Sequence, residues 1–72
     1  MGRLSNLSRK DIVRKLERLE YEFHEHGANH DVYRHPATKR RAVLPRHAIV
    51  KESTLQRMLK QAGIALKDFL DA

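Results

Sequence analysis

Gly27-Ala28-Asn29-His30-Asp31-Val32-Tyr33-Arg34-His35-Pro36 is the stretch whose reading decides the fold. It opens with turn chemistry: Gly27 accepts a positive φ at no steric cost, and Asn29 tolerates one better than most residues. Val32 and Tyr33 follow, side chains suited to a pleated, half-buried surface. Pro36 ends the run, because proline cannot donate to a central ladder. The stretch reads as a strand entered through a turn, with His30 at the entrance. An imidazole titrates near neutral pH, so a histidine placed there can exchange protons with solvent or a ligand. It can equally serve as no more than a polar turn residue.

On the N-terminal side, Tyr21 and Phe23 alternate with Glu22 and His24, the period of a strand with one buried face. This segment and Asp31–His35 predict an antiparallel hairpin whose loop is too long for a two-residue turn. On the other side, Pro36-Ala37-Thr38-Lys39-Arg40 is a polar loop before a third strand, Arg41-Ala42-Val43-Leu44, which Pro45 closes. His47 to Lys51 reads as an irregular connector, with Ile49 and Val50 as anchors to the core. Helices flank these strands. Ser8 caps the first, Asp11 supplies a carboxylate to its first turn, and Ile12, Val13, Leu16 and Leu19 form its apolar stripe. Ser53 is the expected cap of the second, whose stripe is Leu55, Met58, Leu59 and Ala62 and whose left-handed end is Gly63. A short last helix from about Leu66 to Leu70 would tuck Leu66, Phe69 and Leu70 inward. The order is α-β-β-β-α plus a C-terminal helical turn. The expected class is α+β, with helices on one face of a three-stranded antiparallel sheet.

Composition bounds the function. A chain of 72 residues is read as one domain over 1–72, with Met1 to Asn6 expected to be flexible. A domain this small hides only about 60% of its unfolded surface, so any site should be a shallow surface feature. Cysteine is absent, which excludes disulfides and thiolate metal sites. No apolar run approaches a membrane span or a signal-peptide core, and a soluble cytoplasmic protein is expected. The formal net charge of +6 favours a polyanionic or acidic partner. His24, His26, His30 and His35 invite a zinc reading, but no carboxylate or cysteine spacing completes it. No metal and no cofactor are expected.

The α-β-β-β-α order is that of the double-stranded RNA-binding domain, and four segments make a resemblance specific. They are Ser8-Arg9-Lys10-Asp11-Ile12-Val13, the opening Gly27–Pro36 stretch, Leu44-Pro45-Arg46-His47, and Thr54-Leu55-Gln56-Arg57-Met58-Leu59-Lys60-Gln61-Ala62-Gly63-Ile64. In order and at this spacing they resemble the HicA family, small toxins of toxin–antitoxin pairs. The resemblance implies an mRNA interferase that cuts transcripts and halts growth until a HicB-type antitoxin masks it. It also implies that His30 is the active histidine, in a turn before the second strand. Here one residue more separates glycine from histidine than in the family's Gly-Ser-His turn. The glycine often found between the first helix and first strand is replaced by the Leu19-Glu20-Tyr21 junction.

The chemistry stands beside the resemblance. RNA carries its own nucleophile, the 2′-hydroxyl, so cleavage needs a proton acceptor, a proton donor and positive charge at the phosphate. An imidazole can do either proton transfer, each worth typically a hundredfold or more. Lys39, Arg40, Arg41 and Arg46 flank the hairpins and are the expected RNA-binding cations. No second catalytic residue stands out. His35 is read as a surface strand histidine before a deputy catalyst, and His47 as hydrogen-bonding the connector. With so few aromatic residues, recognition would rest on shape, phosphate and 2′-hydroxyl contacts. Two other readings compete with the nuclease: a non-catalytic RNA-binding module of the same fold, and a pure protein-interaction domain.

Overall fold

The structure is a computed structural model that describes residues 5–72. Local signals set the helices. The Ser8 hydroxyl accepts from the Asp11 N–H at 3.2 Å and starts helix α1, Arg9–Arg18, which buries Ile12 and Leu16. Helix α2, Glu52–Ala62, ends at Gly63 with φ of 70°, and the Ile64 N–H reaches back to the Leu59 carbonyl at 2.9 Å. That bond satisfies a terminal carbonyl that would otherwise lack a partner. A third helix, α3, covers Leu66–Asp71.

Five strands lie among the described residues: β1 (Leu7–Ser8), β2 (Glu22–His26), β3 (His30–Arg34), β4 (Arg41–Pro45) and β5 (Ile49–Val50). Strands β2, β3 and β4 form an antiparallel sheet in chain order, with His30 opposite Pro45 and Arg34 opposite Arg41. Alternation along β3 and β4 turns Tyr33, Ala42 and Leu44 to the face where Ile12, Leu16, Leu55, Leu59, Ala62 and Phe69 pack as one core. The buried Tyr21 hydroxyl donates to the Ala62 carbonyl at 2.9 Å, tying the start of the sheet to the end of α2. Lys15 donates to the Leu70 and Ala72 carbonyls and so holds α3 against α1. The architecture is the expected α+β one, compatible with the double-stranded RNA-binding-domain fold.

Several local expectations are corrected. Phe23 lies opposite Tyr33 on the expected side of the sheet but stays 49% exposed on the edge strand β2, outside the buried core. Neither Gly27 nor Asn29 has a positive φ. Apart from Gly63, the described residues with positive φ are Glu20 (70°) and Lys39 (64°). Ser53 is not the cap of α2. The helix starts two residues earlier, at Glu52 with Lys51 in the cap position, and its Glu52 N–H is met by the Asn6 side-chain oxygen at 2.9 Å. Of the start expected to be flexible, Asn6 makes this bond and residues 1–4 lie outside the described residues. The connector after Pro45 is partly regular, since Ile49–Val50 pairs with Leu7–Ser8 as a second small sheet. Leu66 stays 43% exposed, leaving Phe69 as the buried residue of α3.

Candidate active site

The loop between β2 and β3 is Gly27-Ala28-Asn29, closed by the Gly27 N–H on the His30 carbonyl at 2.7 Å. Gly27 is required by close approach and not by φ. A Cβ built there would stand 2.9 Å from the His30 carbonyl oxygen and 3.1 Å from His30 Nε2. The imidazole of His30 therefore lies against the bare Cα of Gly27. His30 is exposed, at the first residue of β3, as expected.

Beneath this turn lies a charge cluster that follows from one inward residue. Tyr33 faces the core, so Asp31, two residues earlier, faces the same way and is buried. A carboxylate there needs partners. Three elements supply them: the Arg9 guanidinium from α1, His26 Nδ1 at 2.6 Å from β2, and Arg46 Nε at 3.0 Å from the residue after β4. A β-bulge at His24 makes the second partner possible. It shifts the phase of β2 so that Phe23 faces Tyr33 and His26 faces Asp31. The His26 hydrogen bond, then Arg46, hold the Asp31 carboxyl below the usual carboxylate range, against an opposing push from burial.

Arg46 extends the cluster into the turn. Its Nη2 donates to the Gly27 carbonyl at 2.5 Å and its Nη1 to the Ala28 carbonyl at 3.4 Å. His26 Nδ1 donates to Asp31, so its 3.2 Å approach to Arg46 Nη2 brings two donors together and adds no bond. Asp31 and Arg46 thus brace Gly27, and Gly27 seats His30. Two guanidinium charges against one carboxylate leave a positive surplus under the turn.

The other expected cations are elsewhere. Lys39, Arg40 and Arg41 are exposed at the opposite end of the β3–β4 hairpin, roughly 13 Å from His30 by strand rise. Arg40 lies over Gly63, where a Cβ would meet its guanidinium, so its charge faces the negative end of α2. Lys39 borders a hollow with Glu22, Phe23 and Arg34. The structure brings Arg46 to His30 and sets Lys39, Arg40 and Arg41 apart.

What does meet His30 is a cleft of about 360 Å³ between β4 and α2. Val43, Pro45 and Met58 are its apolar lining, and Arg57, Gln61 and His47 are among its polar residues. Arg57 has no ion pair among the described residues. Sequence reading missed it, although Thr54, Arg57 and Gln61 follow a helical spacing that flanks the apolar stripe of α2. The histidines divide sharply. His26 is engaged by Asp31, and His35 Nδ1 accepts from the Ala37 and Thr38 N–H groups at 3.1 and 3.3 Å, which makes it a loop fastener. His24 lies 3.6 Å from the Glu25 carboxylate. His30 and His47 have no side-chain hydrogen bond among the described residues, so the expected connector bond of His47 is not formed. No group of three or more His, Cys, Asp or Glu residues is arranged to hold a metal ion among the described residues, and no described helix is long and apolar enough to cross a membrane.

The family model described as "HicA toxin of bacterial toxin-antitoxin" matches residues 9–64. Comparison with curated proteins finds no match.

Proposed function

Because this chain belongs to the HicA toxin family of bacterial toxin–antitoxin systems, we propose that it is a metal-independent endoribonuclease, an mRNA interferase, in which His30 moves a proton at the scissile phosphodiester. The observation that carries this reading is the placement of His30. It is exposed, unbonded, seated on a braced glycine and open to a cleft that Arg57 borders. A rigid seat matters because a positioned acid or base acts only within hydrogen-bond reach of its proton. Positive charge from Arg57, and from the surplus that Arg46 leaves under the turn, would stabilise the charge building on phosphorus.

In this reading Arg46 has two roles, bracing the turn with its N–H groups and lending charge to RNA. Lys39, Arg40 and Arg41 then hold phosphates farther along the strand, not the one being cut. Membership of the family implies a cognate antitoxin. We take it to be of the HicB type, covering the His30 cleft with carboxylates that compete with RNA for the same cations. Its substrate, mRNA, would place the toxin in the cytoplasm.

The test is inducible expression of the parent chain beside His30→Ala, scoring growth and transcript integrity, with cleavage by the purified proteins in chelator. Growth arrest and cleavage should belong to the parent alone, with chelator having no effect. A folded His30→Ala protein that still cuts RNA would overturn the assignment. A parent that binds RNA and never cuts it would leave the non-catalytic RNA-binding module.

A further inference from the structure

Cleavage through the 2′-hydroxyl needs two proton transfers, and His30 can perform one. We propose that His47 performs the other, so that the cleft between β4 and α2 is an acid–base site with an imidazole from each strand end. The inference rests on the ribonuclease reading above and supplies the second catalytic residue that the sequence does not reveal.

Three observations carry it. First, His30 and His47 line the same cleft. Second, Pro45 stands opposite His30 at the end of the ladder, and just past it the Arg46 N–H reaches toward the Asn29 carbonyl at 3.4 Å, so the chain carries His47 past the same strand end, two residues beyond the partner of His30. Residues two apart across a strand end are close enough for a phosphodiester to sit between them with one imidazole on either side. Third, the protein engages His26 and His35 in hydrogen bonds of its own and leaves these two rings exposed and unbonded. Arg57 borders the same space, where it can neutralise the phosphate between them. Val43, Pro45 and Met58 offer an apolar floor to an adjacent base.

The step balances without a further reactant. One neutral imidazole takes the 2′-hydroxyl proton as that oxygen forms a bond to phosphorus. The P–O5′ bond breaks, and the other histidine, starting as imidazolium, gives its proton to the departing 5′-oxygen. The products are a 2′,3′-cyclic phosphate and a 5′-hydroxyl, and the two histidines finish with protonation states exchanged.

The experiment uses two short RNAs identical except that in one the 5′-bridging oxygen at the cut is sulfur. A thiolate leaves without a proton, so losing the general acid no longer matters. On ordinary RNA, His30→Ala and His47→Ala should each lose about a hundredfold or more in rate. On the thio-substrate one of the two, and only one, should recover to near the parental rate, which also identifies the acid. His47→Gln, which keeps a polar side chain of similar reach, guards against a folding defect and should behave as His47→Ala, with parental melting for both. Parental cleavage by folded His47→Ala or His47→Gln, or equal losses for both histidine variants on both substrates, would overturn the pairing. A parent that does not cut RNA would instead remove the ribonuclease reading on which the inference rests.

Discussion

Replacing Gly27 by alanine tests whether the turn exists to seat His30. The backbone there is not left-handed, so alanine meets no φ strain. It meets matter instead. The new Cβ would lie 2.9 Å from the His30 carbonyl oxygen, which is already held at 2.7 Å by the Gly27 N–H, and 3.1 Å from the imidazole. The ring can swing away; the carbonyl cannot move without opening the turn that Arg46 also grips. Inserting a methyl into such a fit costs about 1–3 kcal/mol. Reduced freedom of the unfolded chain returns about 0.4–1 kcal/mol of that. The net loss of about 1 kcal/mol should lower Tm by roughly 4–8 °C in a domain of this size. Cleavage should suffer more than stability, since displacing a catalytic group by about 1 Å can cost a hundredfold. Thermal denaturation and single-turnover RNA cleavage on the same preparation read both quantities. A Gly27→Ala protein that melts at or above the parent and cuts at the parental rate would refute the seating argument.

Glu20→Gly should stabilise the protein: a left-handed non-glycine residue costs about 1–2 kcal/mol and glycine's unfolded-state freedom about 0.5–1, so a gain of up to about 1.5 kcal/mol should appear as a higher Tm. Asp31 titrates below the ordinary carboxylate range when folded, held there by His26 and Arg46, with Arg9 facing it from α1. Its contribution is therefore complete above that range and lost as pH falls through the folded value; Asp31→Asn should melt lower at neutral pH and show a shallower acid-induced loss. RNA affinity should fall steeply with salt, and alanine at Lys39, Arg40 or Arg41 should each flatten the log–log slope by about one if that residue holds a phosphate. An unchanged slope in a filter-binding titration would remove that residue from the RNA path.

What was legible in the sequence was local. Ser8, Gly63 and the apolar stripes of α1 and α2 act within a turn or two of themselves, and each behaves as read. The cap of α2 was not legible, because its oxygen comes from Asn6, far away along the chain, while Ser53 merely has the right composition. The period of β2 holds only as far as Phe23. Phe23 and His26 share a face only through the bulge at His24, and a bulge has no composition of its own here. Asp31 could have been found. Tyr33 is an inward residue, and a carboxylate two positions before it must also point inward and must find cations. The sequence reading named Arg46 as an RNA cation, and its pairing with Asp31 is the part that went unread.

Arg46 also shows why counting cations in a +6 chain does not locate an RNA site. Its guanidinium fixes the turn, Arg40 covers the end of α2, and Lys15 holds α3. Each charge still contributes to the field that draws in a polyanion, but its geometry is set by the fold. Arg57, inconspicuous on a solvent-facing flank, borders the cleft with no ion pair among the described residues. Histidine divides in the same manner: His26 and His35 are held by protein partners, while His30 and His47 face the cleft unbonded. In a domain too small for an enclosed cavity, water is not excluded from a reacting group by depth. Precision has to come from bracing, and here one buried carboxylate joined to three elements holds the turn on which His30 rests.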